Sequence, residues 1–166
     1  MFYKTTYKSP VGELTLASDG ESIVGLWLDG QKYHGQSVPG ELTENGDLPI
    51  FDTAKKWLDR YFNGEKPSIS ELPLAPMGTD FRKKVWQILC RIPYGQLMTY
   101  GGVARELTES DDEARKMSRA VGGAVGHNPI SIIIPCHRVV GSNGKLTGFA
   151  GGLERKKFLL ELENAI

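Results

Sequence analysis

The sequence has few cysteines, no long apolar run and no net charge, and each of these absences excludes a class of protein. Two cysteines in 166 residues cannot form the disulfide framework of a small secreted domain, so we expect a reducing, cytoplasmic environment. No apolar run approaches the roughly 18 residues that a membrane-spanning helix needs. The N-terminus also has no apolar segment followed by a cleavage site, so neither secretion nor a membrane partner is expected.

The net charge of zero conceals an uneven distribution along the chain. Residues 1–77 carry 7 basic and 11 acidic side chains, whereas residues 78–166 carry 13 basic and 9 acidic ones. The cationic second half is a weak indication of nucleic-acid binding. Chance, or docking of oppositely charged halves, explains the same pattern. What the composition excludes is strong DNA binding by the whole surface.

The first half predicts a small antiparallel sheet and one amphipathic helix. Residues 29–49 are polar and rich in glycine and proline, so we expect a loop there, and the three prolines of residues 65–78 indicate a linker. We therefore divide the chain into a support domain, residues 1–77, and a second domain, residues 78–166. Alternating or continuous apolar runs predict three strands, namely Phe2–Lys8, Glu13–Ala17 and Ile23–Leu28.

The second half predicts mainly helices with short connections, which makes the fold class α+β. Thr79, Thr99 and a residue near Ser110 can cap three helices, and Leu153–Leu162 is a fourth. Two short helices across a tight connection, the second rich in arginine, predict either a helix-turn-helix or an ordinary helical hairpin. Val139-Val140 followed by Asn143-Gly144 predicts a hairpin with a type I′ turn.

The densest group of reactive side chains is Cys136-His137-Arg138. A thiol is a nucleophile only as thiolate, so it needs a base or a cation nearby. A buried structural cysteine beside a hydrogen-bonded histidine is the alternative for such a pair. Candidates for the group that orients the histidine are Glu161, Glu163 and Asn128. The cysteines and histidines show no spacing typical of metal ligands, so no metal site is expected.

Two glycine-rich segments also call for an explanation. Gly122-Gly123 lies inside a predicted helix, just after Arg119 and Ala120, where each glycine costs about 1 kcal/mol relative to alanine. Either tight helix packing or close approach of a sugar-phosphate backbone accounts for them. The second segment, residues 148–152, could offer backbone amides to an anion or to an aromatic heterocycle.

Several motifs in a fixed order resemble the O6-alkylguanine-DNA alkyltransferase family, the methylated-DNA–protein-cysteine methyltransferases. The resemblance runs from about Thr79 to Glu163 and covers roughly half of the chain. It rests on five motifs, namely Thr99-Tyr100-Gly101, Arg119-Ala120-Val121-Gly122-Gly123-Ala124, Asn128-Pro129, Pro135-Cys136-His137-Arg138-Val139 and Gly148-Phe149-Ala150-Gly151-Gly152-Leu153. It implies a winged-helix-like second domain with a helix-turn-helix.

The resemblance also implies a function and a catalytic set. Cys136 would accept an alkyl group from guanine O6 in DNA, once per molecule and without a cofactor. His137 would relay the thiol proton through a water, and Glu163 would orient the imidazole. Asn128 would brace the active-site turn, and Tyr100 would donate its hydroxyl to the base.

For the DNA-binding surface, the resemblance implies a helix in the minor groove of double-stranded DNA. Arg119 would fill the space left by the extruded nucleotide, and Ala120, Gly122 and Gly123 would permit close approach with little sequence preference. The base pocket would be lined by Val139, Phe149, Ala150 and Gly151. We expect the protein to act as a monomer.

Two features depart from the family pattern. Phe149 stands where tyrosine is more usual, and residues 108–116 are longer and more acidic, which could alter DNA affinity. Two other functions remain open alternatives. One is a non-catalytic relative that binds alkylated DNA, although such relatives lack the acceptor cysteine. The other is an unrelated thiol hydrolase, which would leave Arg119 and the paired glycines unexplained.

Overall fold

The computed structural model describes all 166 residues and confirms the α+β fold class. The chain forms two compact units. The first unit contains residues 1–77 together with residues 129–133, and the second contains residues 78–128 and 134–166. The short segment 129–133 in the first unit was not predicted from the sequence.

The sheet of the first unit has four strands in the order β3-β2-β1-β4. The strands are β1 (Phe2–Ser9), β2 (Gly12–Ser18), β3 (Ile23–Leu28) and β4 (Leu42–Glu44). The first three pair antiparallel, as predicted, but β4 pairs parallel with β1. The sheet is therefore mixed, and the predictions of a purely antiparallel sheet and of a loop over residues 29–49 are wrong at this edge. A three-residue strand is too short to show a period of two.

One helix and one returning segment complete the first unit. Helix α1 (Pro49–Phe62) begins with proline at its first turn and buries an apolar face that includes Phe51, Trp57 and Tyr61. The returning segment, residues 129–133, pairs through its backbone with Leu26 of the fully buried strand β3. The Leu26 amide donates to the Pro129 carbonyl at 2.8 Å, and the Leu26 carbonyl accepts from the Ser131 amide at 3.0 Å. These two backbone bonds explain why residues 129–133 belong to this unit.

The second unit contains four helices, which are α2 (Asp80–Leu89), α3 (Tyr100–Leu107), α4 (Asp111–Gly126) and α5 (Leu153–Leu162). The side chains of Thr79, Thr99 and Ser110 each accept a hydrogen bond from the amide three residues later, which confirms the predicted caps. Helices α3 and α4 pack closely across a short connection, as a helix-turn-helix requires. None of the helices in the protein is both long and apolar enough to cross a membrane.

The predicted hairpin after Val139 does not form. Strand β6 (Val139–Val140) instead pairs parallel with β5 (Met98–Thr99). The turn itself is present, because Asn143 and Gly144 have φ of 62° and 76°, and a type I′ turn requires positive φ at both positions. The Gly141 amide donates to the Lys145 carbonyl at 2.8 Å, after which no second strand follows. The residues of the turn therefore led to a wrong prediction of the strand that pairs with β6.

Candidate active site

Cys136 begins a 3₁₀ turn, Cys136–Arg138, directly after Pro135. Its side chain is buried, with 4% of the residue exposed. Burial raises the pKa of the thiol, although a hydrogen bond from Asn128 and the charge of Lys156 lower it in part. The resting thiol is therefore protonated, and a base is required to make it a nucleophile.

His137 follows Cys136 in the chain and forms a fully buried pair with Glu163. Nε2 of His137 lies 2.6 Å from Oε2 of Glu163, and both side chains are inaccessible to solvent. Burial lowers the pKa of His137 and outweighs the opposite effect of Glu163, so the imidazole is neutral. A carboxylate only accepts, so the ring proton is on Nε2. Nδ1 is then the basic nitrogen, and it is buried without a hydrogen-bonding partner in the protein.

Arg138 keeps Glu163 ionised. Its Nε donates to Oε1 of Glu163 at 2.7 Å, and a terminal nitrogen donates to Oε2 at 3.2 Å. The other terminal nitrogen donates to the Ile92 carbonyl at 2.6 Å, and the guanidinium lies over the ring of Tyr94. Burial by itself raises the pKa of Glu163, but His137 and Arg138 together lower it to about 2. Arg138 was not predicted as a site residue, and its only signal was its position beside His137.

Asn128 connects the end of α4 to the active-site turn. It follows the helix end, and its Nδ2 donates to the Ile134 carbonyl at 2.8 Å. Asn128 is itself buried, with 3% exposed. The amide thus holds the backbone two residues before Cys136, while it also bonds the thiol. This contact agrees with the bracing role that the resemblance implies, which remains a prediction.

Lys156 is a buried cation that the sequence reasoning missed. Its Nζ donates to the carbonyls of Val139, Thr147 and Gly148 at 2.6, 2.8 and 3.1 Å, and burial lowers its pKa to about 8. A signal for it existed in the last helix. The helical stripe at i, i+3, i+4 and i+7 reads Lys156, Leu159, Leu160 and Glu163, and all four are buried. A charged residue at each end of a buried stripe indicates a site.

Three of the four residues predicted for the base pocket lie on the loop that Lys156 holds, and the fourth, Val139, lies on β6. Phe149, Ala150 and Gly151 follow Thr147 and are half-buried, and Val139 is fully buried. Tyr100, the first residue of α3, donates its hydroxyl to the Thr147 carbonyl at 3.2 Å. Burial raises the pKa of Tyr100, so its hydroxyl keeps its proton and can act as a donor.

The paired glycines of α4 are not needed for packing. A Cβ added at Gly122 or Gly123 would meet no atom within 4 Å, so tight helix packing does not explain them. Arg119 and Ala120 precede them and are exposed. Close approach of a sugar-phosphate backbone to the helix, the other explanation given for these glycines, stays a prediction. No group of three or more histidine, cysteine or acidic side chains is placed to hold a metal ion.

Two family models match the chain in succession. Residues 2–76 match the family described as 6-O-methylguanine DNA methyltransferase, ribonuclease-like domain. Residues 80–165 match 6-O-methylguanine DNA methyltransferase, DNA binding domain. Together the matches include both compact units, whereas the resemblance noted in the sequence was clear only for the second.

Curated relatives and solved structures agree with these matches. The chain is 48% identical to a methylated-DNA–protein-cysteine methyltransferase of Haemophilus influenzae, over 97% of this chain and 86% of that protein. It is 44% identical to one of Methanosarcina acetivorans, over 98% and 99%. The crystal structure of Mycobacterium tuberculosis OGT in complex with DNA has a TM-score of 0.84 and 41% identity, over 98% of this chain and 93% of that one. The chain therefore belongs to the methylated-DNA–protein-cysteine methyltransferase family.

Proposed function

We propose that this protein repairs DNA by transferring the alkyl group of O6-alkylguanine, methyl above all, to Sγ of its own Cys136. The observation that carries the proposal is the buried arrangement of Cys136, the neutral His137 and the ionised Glu163. Family membership supports the same reaction, and a non-catalytic binding role is not favoured because the acceptor cysteine is present.

Proton transfer begins at His137. Because Glu163 accepts from Nε2, the lone pair of Nδ1 is available to take the thiol proton through a bridging water. The imidazolium that forms is stabilised by the adjacent carboxylate. Glu163 and Asn128 are positioning residues in this proposal, since they act through His137 and through the backbone before Cys136.

The thiolate then attacks the alkyl carbon in line with the bond to O6. The S–C bond forms, the C–O6 bond breaks, and its electron pair leaves with guanine. The Tyr100 hydroxyl exchanges its bond to the Thr147 carbonyl for one to N3 of the base and donates to N3 as that charge develops, which makes guanine a better leaving group. The product is a thioether with no easy return path, so each molecule reacts once and needs no cofactor.

The base must leave the duplex for this attack to occur. Flipping costs a few kcal/mol, and less for a damaged and poorly paired base. We propose that α4 enters the minor groove, that Arg119 fills the vacated stack, and that Ala120, Gly122 and Gly123 let the sugar-phosphate backbone approach. Small side chains read few base edges, so little sequence preference follows. A monomer acting in the cytoplasm is sufficient for a reaction with one acceptor per lesion.

The flipped base would be bound by Val139, Phe149, Ala150 and Gly151. Lys156 supports this pocket, because it ties the carbonyls of Thr147 and Gly148 to that of Val139. Phe149 offers an aromatic face without a hydroxyl. The pocket therefore binds the base through stacking and backbone groups.

The test is the intact mass of the protein after incubation with duplex DNA that carries one O6-methylguanine. We expect a gain of one methyl group, located by peptide mapping on Cys136. The variant Cys136→Ala should gain none. The matched control is Cys90→Ala, which should still be methylated, since burial raises the pKa of Cys90 to about 11 and no histidine adjoins it.

Two outcomes would contradict the proposal. An unmodified protein that still binds the lesion would indicate a non-catalytic reader of damage. Multiple turnovers on a thioester or amide substrate would indicate a hydrolase.

A further inference from the structure

A cleft of about 370 Å³ lies between the two helices of the helix-turn-helix. It contains two guanidinium groups and a hydroxyl but only one carboxylate. None of these groups takes part in the alkyl-transfer chemistry. Its lining residues are Gly101, Arg105, Asp111, Ala114, Arg115 and Ser118.

One wall of the cleft continues the face of α4 that carries the paired glycines. The solvent-accessible residues of α4 include a stripe at i, i+3, i+4, i+7 and i+8, which is Arg115, Ser118, Arg119, Gly122 and Gly123. Arg115 therefore lies one turn before Arg119 on the same side of the helix. Arg115 can therefore reach a duplex that contacts Arg119 and the paired glycines.

The other wall begins beside Tyr100. Gly101 follows Tyr100 directly, and Arg105 lies one turn further along α3. A Cβ added at Gly101 would lie 4.0 Å from a terminal nitrogen of Arg105, so the guanidinium extends over a position without a side chain. Both walls of the cleft thus start next to residues to which the proposed function gives a DNA contact.

Two acidic side chains from the first turn of α4 form ion pairs with the two arginines of the cleft. Nε of Arg105 lies 3.8 Å from Oδ1 of Asp111, and a terminal nitrogen of Arg115 donates to Oδ1 of Asp112. These four side chains are 68% to 87% exposed, so water and salt screen the pairs and they exchange easily. A phosphate group offers the same negative oxygens, and a guanidinium binds it through two parallel hydrogen bonds.

We propose that Arg105 and Arg115 bind the phosphate backbone of DNA beside the flipped nucleotide, and that Asp111 and Asp112 compete with the phosphates for them. This inference rests on the proposed function, because it needs the duplex to lie along α4. It also gives the long acidic segment, residues 108–116, a role. The carboxylates hold the arginines ready in the free protein and weaken binding to undamaged DNA.

The experiment measures the affinity of the full chain for an undamaged, fluorescently labelled duplex over a series of KCl concentrations. Each phosphate contact contributes about 0.9 to the slope of log affinity against log salt. We expect Arg105→Gln and Arg115→Gln each to reduce the magnitude of that slope by about 1. We expect Asp111→Asn to raise the affinity about threefold at low salt, since a competing anion is removed.

The controls are Arg60→Gln and Glu71→Gln, which break a partly exposed ion pair of the first unit, with side chains 43% and 44% exposed. They should leave the slope and the affinity unchanged. Slopes for Arg105→Gln and Arg115→Gln equal to that of the unsubstituted protein would overturn the inference. An equal loss in Arg60→Gln would overturn it as well, because net charge alone would then explain the effect.

Methylation of the unsubstituted protein by a lesion-bearing duplex is measured in parallel. Failure of that reaction would contradict the proposed function. The salt slopes would still decide whether Arg105 and Arg115 bind phosphates.

Discussion

Two groups of paired polar and charged side chains in the second unit differ in their burial and in the lengths of their contacts. Around Glu163, the carboxylate, His137 and Arg138 are held at 2.6 to 3.2 Å with little or no access to water. In the helix-turn-helix, the pairs Arg105–Asp111 and Arg115–Asp112 are mostly exposed. A guanidinium paired with a carboxylate thus occurs both in a dry setting and in a wet one.

The difference is informative because buried and exposed charges are suited to different tasks. A buried pair is expensive to form and strongly destabilising to break, so it holds one geometry and one protonation state, as a proton relay requires. An exposed pair contributes little and exchanges partners, as a surface that must accept a phosphate requires. Substitutions in the two groups should therefore have effects of very different size and kind.

The largest expected effect is that of Lys156→Met on stability. The substitution leaves the carbonyls of Val139 and Gly148 without the Lys156 donor, while the carbonyl of Thr147 keeps its bond from the Tyr100 hydroxyl. Each unsatisfied buried group costs about 1–3 kcal/mol. Recovery of the desolvation penalty of the ammonium offsets part of this. We expect the free energy of unfolding in urea to fall by about 3 kcal/mol.

The neighbouring residue provides the control for that measurement. Lys157 pairs with Glu161 at 3.7 Å and its side chain is 64% exposed. Lys157→Met should change the free energy of unfolding by less than about 0.5 kcal/mol. Equal effects of the two substitutions would mean that burial does not distinguish them.

The pH dependence of Glu163→Gln should show the next largest effect. Since the folded pKa of Glu163 is about 2 against an ordinary value of 4.5, its ionised form stabilises the fold above pH 4.5. That stabilisation is lost as the pH falls from 4.5 towards 2. The free energy of unfolding of Glu163→Gln should be lower than that of the unsubstituted protein at about pH 6. This deficit should shrink by about 2 kcal/mol between about pH 6 and pH 3.

Urea unfolding of both proteins across this pH range is the measurement. The exposed counterpart is Glu71→Gln, whose carboxylate pairs with Arg60 at 2.7 Å. Because solvent screens that pair, the loss of unfolding free energy in Glu71→Gln should vary far less with pH. A constant deficit for Glu163→Gln would show that Glu163 is not ionised more readily in the fold than in the unfolded chain.

The helices were predictable from the sequence because their signals are local. The caps Thr79, Thr99 and Ser110 and the bounds of α5 are all confirmed. What failed was pairing between distant segments. Strand β4 has too few residues to show a pattern, and β6 pairs with β5, some 40 positions earlier in the chain. Local turn chemistry carries no information about such partners.

The candidate site was predictable only in part. Cys136 and His137 came from an ordered motif, Glu163 came from the resemblance as one of three candidates, and the structure joins His137 to Glu163. Lys156 and Arg138 were missed, because a charged residue is expected at the surface unless its partners are known. The helical stripe of α5 marks the position of Lys156, but its partners are three backbone carbonyls, which no side-chain pattern identifies.

The smallest expected effect belongs to the exposed pair Arg115–Asp112. We expect the coupling energy of Arg115→Gln and Asp112→Asn, measured by a double-mutant cycle in urea, to be below about 0.5 kcal/mol. The reason is that the two side chains are 78% and 77% exposed and already hydrated when apart. A coupling above about 1 kcal/mol would mean that the pair is a fixed structural element rather than an exchangeable one. Arg115 would then be held by Asp112 too firmly to turn to a phosphate, and the contrast with the buried group around Glu163 would disappear.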